Sequence, residues 1–346
     1  MGLSATFSDE FQRRYQIEKI LGEGGVGRVY LARDTELARH VAIKVLIYVD
    51  RADPVARQRF EEEARVCAAL KHPNIVPLYH VGSEGGCPYL VFEFVEGQDL
   101  ARVLTTKKVL DAKRTLAIAA DVLEGPAYAH ARKVVHRDLK PGNILLREAG
   151  QSEIPMILDF GMAKTENRDR FQTRQGIVLG TPLYLAPEAI MDGRSLPATD
   201  LYSLGCVMFE CLAGRPPFLA ATDLAVLELH LEKPPPRLDE VDKSLPKALV
   251  ELVDRALRKD PEDRFTAAEE MLAWVRAVQE GRPPPGSRTT RLPGSSALAA
   301  SGSRSRQSNT VKTAARSGPG APTLGVTGAR AVLGGRFGWL LGGASL

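Results

Sequence analysis

The stretch that decides the fold is His136-Arg137-Asp138-Leu139-Lys140-Pro141-Gly142-Asn143, followed downstream by Met156-Ile157-Leu158-Asp159-Phe160-Gly161. Asp138 can accept or orient the proton of a hydroxyl group. Lys140 can neutralise a phosphoryl group in transfer. Asn143 supplies an amide oxygen and Asp159 a carboxylate, both hard donors of the kind magnesium prefers. Magnesium retains several waters, so one amide, one carboxylate and the phosphates of a nucleotide complete its shell.

Upstream, Gly22-Glu23-Gly24-Gly25-Val26-Gly27-Arg28-Val29 fits G-x-G-x-x-G-x-V. By itself the pattern is shared with dinucleotide folds, where the glycines open a helix. Here a strand-like Val-Tyr-Leu-Ala run follows, which puts the glycines in a hairpin between two strands. Without Cβ atoms the backbone N–H groups can approach phosphate oxygens closely. Val41-Ala42-Ile43-Lys44 comes next. A lysine in an apolar strand is costly to bury unless it is paired. Helical spacing offers the partner: Glu63 lies three residues after Phe60, four before Cys67 and seven before Leu70. It therefore shares their inward face, which Glu61 and Glu62 do not. Glu63 is expected to hold Lys44 against the α- and β-phosphates.

Working outward, Tyr15–Leu21, Val29–Arg33, Val41–Ile47, Val76–Val81 and Pro88–Phe94 are rich in β-branched and aromatic residues and read as strands. One helix is expected over Pro54–Leu70, stopped by Pro73 and Asn74. From about Leu100 the pattern is mainly helical. Asp200–Leu212 is apolar nearly all round, as a core helix is. Leu245–Leu257 and Ala267–Val278 read as amphipathic helices, and Pro126 is expected to kink another. Strands first and helices second imply a segregated α+β architecture in two lobes. The expected division is a leader over 1–14, a domain over 15–279 with lobes of about 15–95 and 96–279, and a tail over 280–346.

The chain of 346 residues carries a net charge of +4, unevenly spread. From Gly281 onward there are nine Lys/Arg and no Asp/Glu, which leaves 37 basic against 42 acidic residues before it. The tail is rich in Pro, Gly, Ser and Arg and cannot bury enough apolar area to order itself. Cysteines 67, 87, 206 and 211 form no C-x-x-C pair, which speaks against a zinc or disulfide framework and for reduced thiols in the cytoplasm. Asp9, Glu10, Arg13 and Arg14 interrupt any signal-peptide core, and no apolar run approaches the ~20 residues of a membrane helix.

At this point the chain resembles a eukaryotic-like (Hanks-type) serine/threonine protein kinase of the bacterial kind, over about Tyr15–Val278. The match takes in the glycine loop, Lys44, Glu63, the 136–143 loop, Asp159-Phe160-Gly161, Gly180–Glu188, Asp200 and Arg264. The resemblance implies the bilobal kinase fold and transfer of the γ-phosphate of ATP to protein Ser/Thr hydroxyls, with Mg²⁺ as cofactor and Mn²⁺ as a substitute. It implies Asp138, Lys140, Lys44 and Glu63 as catalytic and Asn143 and Asp159 as metal ligands. ATP would be held by Leu21, Gly22, Gly24, Gly27, Val29, Ala42, Lys44, Phe92, Glu93, Val95 and Leu145. Phe92 would stand beside the adenine, and Glu93 and Val95 would bond it through their backbones. Glu188 would pair with Arg264, Asp200 would brace the His136–Asp138 backbone, and Leu183 would help seat the residue after the target hydroxyl.

The segment between Asp159 and Glu188 is polar at its centre. A phosphate there could pair with Arg137 and order it. Thr173 is the expected autophosphorylation site, with Thr181 the family's serine/threonine-type residue; Gln175 and Ile177 stand where relatives often offer further threonines. Protein substrates are the expected partners. A homodimer is compatible with the sequence and not demanded by it. Membrane association of the basic tail ranks below a solvated linker, and no specific nucleic-acid binding is expected, since the tail's only aromatics are Phe337 and Trp339. The competing reading is a pseudokinase-like scaffold or signalling adaptor, and the full catalytic set stands against it.

Overall fold

The computed structural model describes residues 7–24, 27–46, 54–150, 152–160 and 182–286, with the side chains of 54–57 and 59 excluded. The chain divides after Thr290 into two units, and all described residues lie in the first. The basic tail from residue 287 onward lies outside them.

The chain opens with a short helix, α1 (Asp9–Arg14), inside the stretch expected to be only a leader. Ser8 caps it, its Oγ accepting from Phe11 N at 3.2 Å. Phe11 is buried against Tyr15 and Tyr89, with ring centroids 5.3 and 5.1 Å away. Five strands follow: β1 (Tyr15–Gly24), β2 (Gly27–Asp34), β3 (Arg39–Leu46), β4 (Leu78–Glu84) and β5 (Cys87–Glu93). They form one antiparallel sheet in the order β1-β2-β3-β5-β4. The register sets Val29 opposite Lys44, Lys44 opposite Leu90, and Ala42 opposite Phe92. Gly27, where the glycine hairpin returns, has to be glycine: a Cβ there would sit 2.1 Å from the Val45 carbonyl oxygen.

Helix α2 (Pro54–Ala68) packs Phe60, Ala64 and Cys67 on the sheet, at the spacing the sequence shows. The strand expected over Val76–Val81 starts two residues later, at Leu78. Pro77 has no N–H to give the sheet, and the residues before it bond elsewhere. Val76 N donates to Ile157 O at 3.0 Å, and Ile157 N to Asn74 O at 2.8 Å. These bonds tie the first lobe to a second sheet, β6 (Gln98–Asp99), β7 (Ile144–Ala149) and β8 (Ser152–Ile157), in the order β6-β7-β8. The β7–β8 pairing sets Ile144 opposite Ile157, which holds Asn143 and Asp159 near each other at the end of one hairpin.

The second lobe is built from α3 (Leu100–Lys107), α4 (Ala112–His130), α5 (Pro187–Asp192), α6 (Pro197–Ala213), α7 (Asp223–Glu232), α8 (Leu238–Val241), α9 (Lys247–Ala256) and α10 (Ala268–Gln279). Asp99 and Asp111 cap α3 and α4. Pro126 sits inside α4, and the helix continues past it to His130. Helix α6 is buried on all sides, as its composition requires. At Gly205 it approaches α9 so closely that a Cβ would lie 2.9 Å from Ala256 Cβ.

One ion pair in this lobe is sealed from water. Arg264 donates to Glu188 Oε1 at 2.9 Å and Oε2 at 2.8 Å, and both side chains are at most 1% exposed. Arg264 also donates to the carbonyls of Arg258, Ala198 and Lys259 at 2.6, 3.1 and 2.8 Å. All five guanidinium N–H groups are thus satisfied, and Thr199 Oγ1 adds a donor to Glu188 Oε1 at 2.8 Å. Removing one partner of such a pair leaves a buried uncompensated charge. Arg264→Ala is expected to cost about 3–5 kcal/mol, measured by urea denaturation at neutral pH; a loss below about 1 kcal/mol, the scale of an exposed pair, would show that water replaces the arginine.

Candidate functional site

The 136–143 loop is held from beneath by one carboxylate. Asp200, in the first turn of α6 and 1% exposed, accepts from His136 N through Oδ2 and from Arg137 N through Oδ1, each at 2.8 Å. His130 Nε2 meets Oδ2 at 2.8 Å. The loop needs this support because Arg137 has a left-handed backbone, φ 74°, unfavourable for a side-chain-bearing residue. His136 links the loop to the residue after β8: Nδ1 accepts from Asp138 N at 3.2 Å, and Nε2–H donates to Leu158 O at 2.8 Å. Each ring nitrogen has one role, so these partners define the tautomer.

Two of the expected catalytic and metal-binding side chains, Lys140 and Asn143, converge on Asp138. Lys140 Nζ donates to Asp138 Oδ2 at 2.7 Å. Asn143 Nδ2 donates to the Asp138 carbonyl at 2.7 Å and to Oδ2 at 3.1 Å. With both amide hydrogens turned to Asp138, Asn143 Oδ1 is left as an acceptor. Asp138 Oδ1 carries no hydrogen bond among the described residues, and the carboxyl is 45% exposed. A carboxylate oriented through one oxygen and exposed to solvent is arranged to receive a hydroxyl proton.

Lys44 departs from expectation. Its Nζ donates to Asp159 Oδ2 at 2.7 Å, and its expected pair with Glu63 is not among the ion pairs of the described residues. Glu63 instead faces Arg137, with Oε1 3.9 Å from Nη1. Helical spacing placed Glu63 on the inward face, where it is half-buried. It could not specify which cation it meets, because that depends on how α2 lies against β3 and the loop. Burial pushes the Asp159 carboxyl up, but the Lys44 ammonium outweighs this, with His136 and Lys140 adding, and holds it below the usual carboxylate range. Asp159 is also left-handed, φ 57°.

Cys67 was readable in sequence only as an inert buried thiol. In the structure Sγ donates to the Phe160 carbonyl at 2.8 Å, which joins α2 to the Asp159-Phe160 segment. Burial pushes this thiol up to about 12, so it stays protonated and able to donate. Phe160 stands edge-on to His136, centroids 4.8 Å apart. No spacing rule in the sequence joins Cys67 to Phe160.

Of the residues expected around a nucleotide, Ala42, Phe92, Val95 and Leu145 share one apolar cluster with Met156 and Leu158, between the two lobes. Phe92 is buried opposite Ala42. Glu93 N already donates to Pro77 O at 2.9 Å, so a nucleotide base would not find that donor. Leu21 is exposed and Val29 half-buried, both outside that cluster, on the β1–β2 hairpin. A Cβ at Gly22 or Gly24 would meet nothing within 4 Å, so open space lies beside the backbone there. Thr173, Thr181 and Gly161 lie outside the described residues. Arg137 has a buried Nε with no hydrogen-bond partner among the described residues.

The protein kinase domain model matches residues 15–274. The chain is 38% identical over 292 residues to the serine/threonine-protein kinase PknA of Mycobacterium tuberculosis, covering 83% of this chain and 66% of PknA. It is 36% identical over 275 residues to PknB of Mycobacterium leprae, covering 78% and 44%, and 37% identical over 265 residues to PrkC of Bacillus subtilis, covering 77% and 40%. The chain thus spans less than two thirds of the length of each. Among solved structures, the Mycobacterium tuberculosis PknI kinase domain is similar with a TM-score of 0.62 at 27% identity, over 81% of this chain and 99% of that one. The chain belongs to the protein kinase family, of the bacterial serine/threonine (Hanks) type.

Proposed function

We propose that this chain transfers the γ-phosphate of Mg·ATP to serine and threonine hydroxyls of proteins. The observation that carries the proposal is the convergence of Lys140 and Asn143 on one oxygen of Asp138, whose other oxygen has no hydrogen bond among the described residues. Membership of the family implies the use of ATP and a divalent metal. The donors fit magnesium: Asn143 Oδ1 and the Asp159 carboxylate are hard oxygens at the end of one hairpin. Among the described residues no cluster of three or more His, Cys, Asp or Glu forms an all-protein metal cage, and magnesium bound with phosphates needs none. Manganese shares the preference for oxygen and is the proposed substitute.

In this reading Asp138 takes or orients the acceptor hydroxyl's proton. Lys140, already hydrogen-bonded to it, lies where it can offset negative charge on the transferring group. Lys44 serves the α- and β-phosphates. A metal held by Asn143 Oδ1 and the Asp159 carboxylate would supply positive charge to the nucleotide's phosphates. The Lys44–Asp159 pair is then a resting arrangement: each group saturates the other until nucleotide and metal compete for both. The proposed setting is the cytoplasm, where ATP is supplied and the four free cysteines stay reduced. Among the described residues no helix is long and apolar enough to cross a membrane. Autophosphorylation at Thr173 is proposed as the activating event, with Arg137 receiving the phosphate in place of Glu63.

Two measurements test this. With labelled ATP and Mg²⁺, the wild type is expected to label Ser/Thr of itself and of a basic acceptor protein, and Asp138→Asn to lower the rate by about 10²–10⁴-fold while still binding Mg·ATP. Nucleotide binding by the wild type without transfer, even after incubation with an active relative, would favour the scaffold reading. Thr173→Ala is expected to lower transfer to the acceptor and to remove the main activation-segment phosphosite in mass spectra. Full activity in that variant would eliminate Thr173 as the switch.

A further inference from the structure

Strand β1 is an edge of the five-stranded sheet. Its pairing with β2 is interrupted twice, between Ile17 and Lys19 and between Ile20 and Gly22. Beyond the second interruption β1 buries nothing: Gly22, Glu23 and Gly24 are all exposed. The β2 side of the same tip is held differently. Gly27 lies against the Val45 backbone, where a Cβ would meet the carbonyl oxygen at 2.1 Å, and Val29 pairs with Lys44. The glycine hairpin therefore has one limb seated on β3 and another held only by its partner.

Three residue pairs make that hold: Gly22 with Val29, Glu23 with Arg28, and Gly24 with Gly27. A glycine brings no side chain to a cross-strand contact, and glycine-rich strands specify their register weakly. Only the middle pair has side chains on both strands, and they meet: Arg28 Nη2 donates to Glu23 Oε1 at 2.6 Å. Arg28 is the shielded partner, 17% exposed against 57% for Glu23. Its Nη1 donates to Tyr30 Oη at 3.4 Å. Tyr30 is buried in the aromatic cluster with Phe11, edge-on to Phe7 with centroids 5.4 Å apart, and Phe7 stacks on Phe11 of α1 at 4.6 Å. The pair is thus rooted in the lobe through Tyr30. Side chains alternate across a strand, so Arg28 and Tyr30 share the face covered by α1. Val29 lies on the other face with Lys44 opposite it, and from there Lys44 reaches Asp159. Glu23 and Arg28 therefore act on the hairpin backbone from outside and touch none of the inner groups.

We propose that Glu23 and Arg28 are positioning residues for the nucleotide's phosphates: their cross-strand pair sets the register of the glycine hairpin and keeps the backbone N–H groups of its tip preorganised for phosphate oxygens. This rests on the use of Mg·ATP proposed above. The open space beside Gly22 and Gly24 leaves those groups approachable. The effect falls on the phosphates and not on the base, because the apolar cluster of Ala42, Phe92, Val95 and Leu145 includes neither residue of the pair.

The test uses the full chain, with dissociation constants for Mg·ATP and for adenosine measured by calorimetry alongside thermal unfolding. Glu23→Gln and Arg28→Gln are each expected to weaken Mg·ATP binding about threefold to fivefold, the scale of a partly exposed ion pair. The double variant loses no more than either single one, since both remove the same contact. Adenosine, which has no phosphate, binds wild type and variants equally. The exchange of Glu23→Arg with Arg28→Glu recovers most of the loss. The sign of the effect at Glu23 separates this role from a direct one. An arginine that met the phosphates itself would be freed by Glu23→Gln, and Mg·ATP would bind more tightly. Tighter or unchanged binding in Glu23→Gln overturns the proposal. So does an equal loss for adenosine with a lowered unfolding temperature, which marks general loosening of the lobe. Wild type that binds Mg·ATP without transferring phosphate overturns the transferase reading alone. Mg·ATP bound by wild type no more tightly than adenosine overturns this inference.

Discussion

The carboxylate of Asp200 is the constraint on which the active-site geometry depends. It sits in the first turn of a helix buried on every side, so it cannot relax toward water, and three donors converge on it. A buried carboxylate without donors would be expensive. With them, it fixes the backbone of His136 and Arg137 and stabilises the left-handed conformation of Arg137. That conformation places Asp138 beside Lys140 and Asn143 and directs Arg137 toward Glu63. The apolar core of the second lobe thus reaches the reaction centre through one residue, and packing faults along α6 should be transmitted to the loop. The close approach of Gly205 to Ala256 marks where that packing has least slack.

Beside the Lys140–Asp138 pair, two further pairs lie at this fixed loop, Lys44 with Asp159 and Arg137 with Glu63. The first is short, hydrogen-bonded and partly shielded, and it holds the Asp159 carboxyl ionised. The second is at 3.9 Å, too long for a hydrogen bond. Moving Glu63 toward Lys44 therefore gives up little at Arg137. The strong contact to be exchanged is the one at Asp159, the group that a metal ion with its phosphates would claim.

Legibility in the sequence follows how local the determining physics is. The 136–143 loop, the glycine hairpin and Lys44 could be read because their chemistry lies within a few residues, and α6 because a helix apolar all round has nowhere else to go. The partner of Glu63 could not be read: periodicity gives the face of a helix and not its displacement over a sheet. Helix α1 escaped because six residues are too few for periodicity to register, and its stability comes from the Ser8 cap and from burying Phe11 among aromatics far along the chain. Cys67 escaped for another reason. Its thiol takes its meaning from the distant Phe160 carbonyl, and one cysteine in an apolar run looks like core.

Two guanidinium sites, Arg264 buried and Arg137 half-buried, show how the same group can serve permanence or change. Arg264 uses all five N–H groups, against Glu188 and three carbonyls, and is closed to solvent. Any displacement would break several charge-assisted bonds at once in a medium that screens poorly. Such a site fixes the end of the activation segment at Glu188 to the lobe. Arg137 carries the same charge but is incompletely engaged, with a long ion pair and a buried Nε that no described residue accepts from. An unsaturated guanidinium held by a rigid backbone gains by meeting a stronger anion, and a phosphate with several acceptor oxygens is such an anion. With one end of the segment anchored by a saturated arginine and the loop before the catalytic aspartate carrying an unsaturated one, the intervening stretch has one boundary that cannot move and another that rewards being occupied.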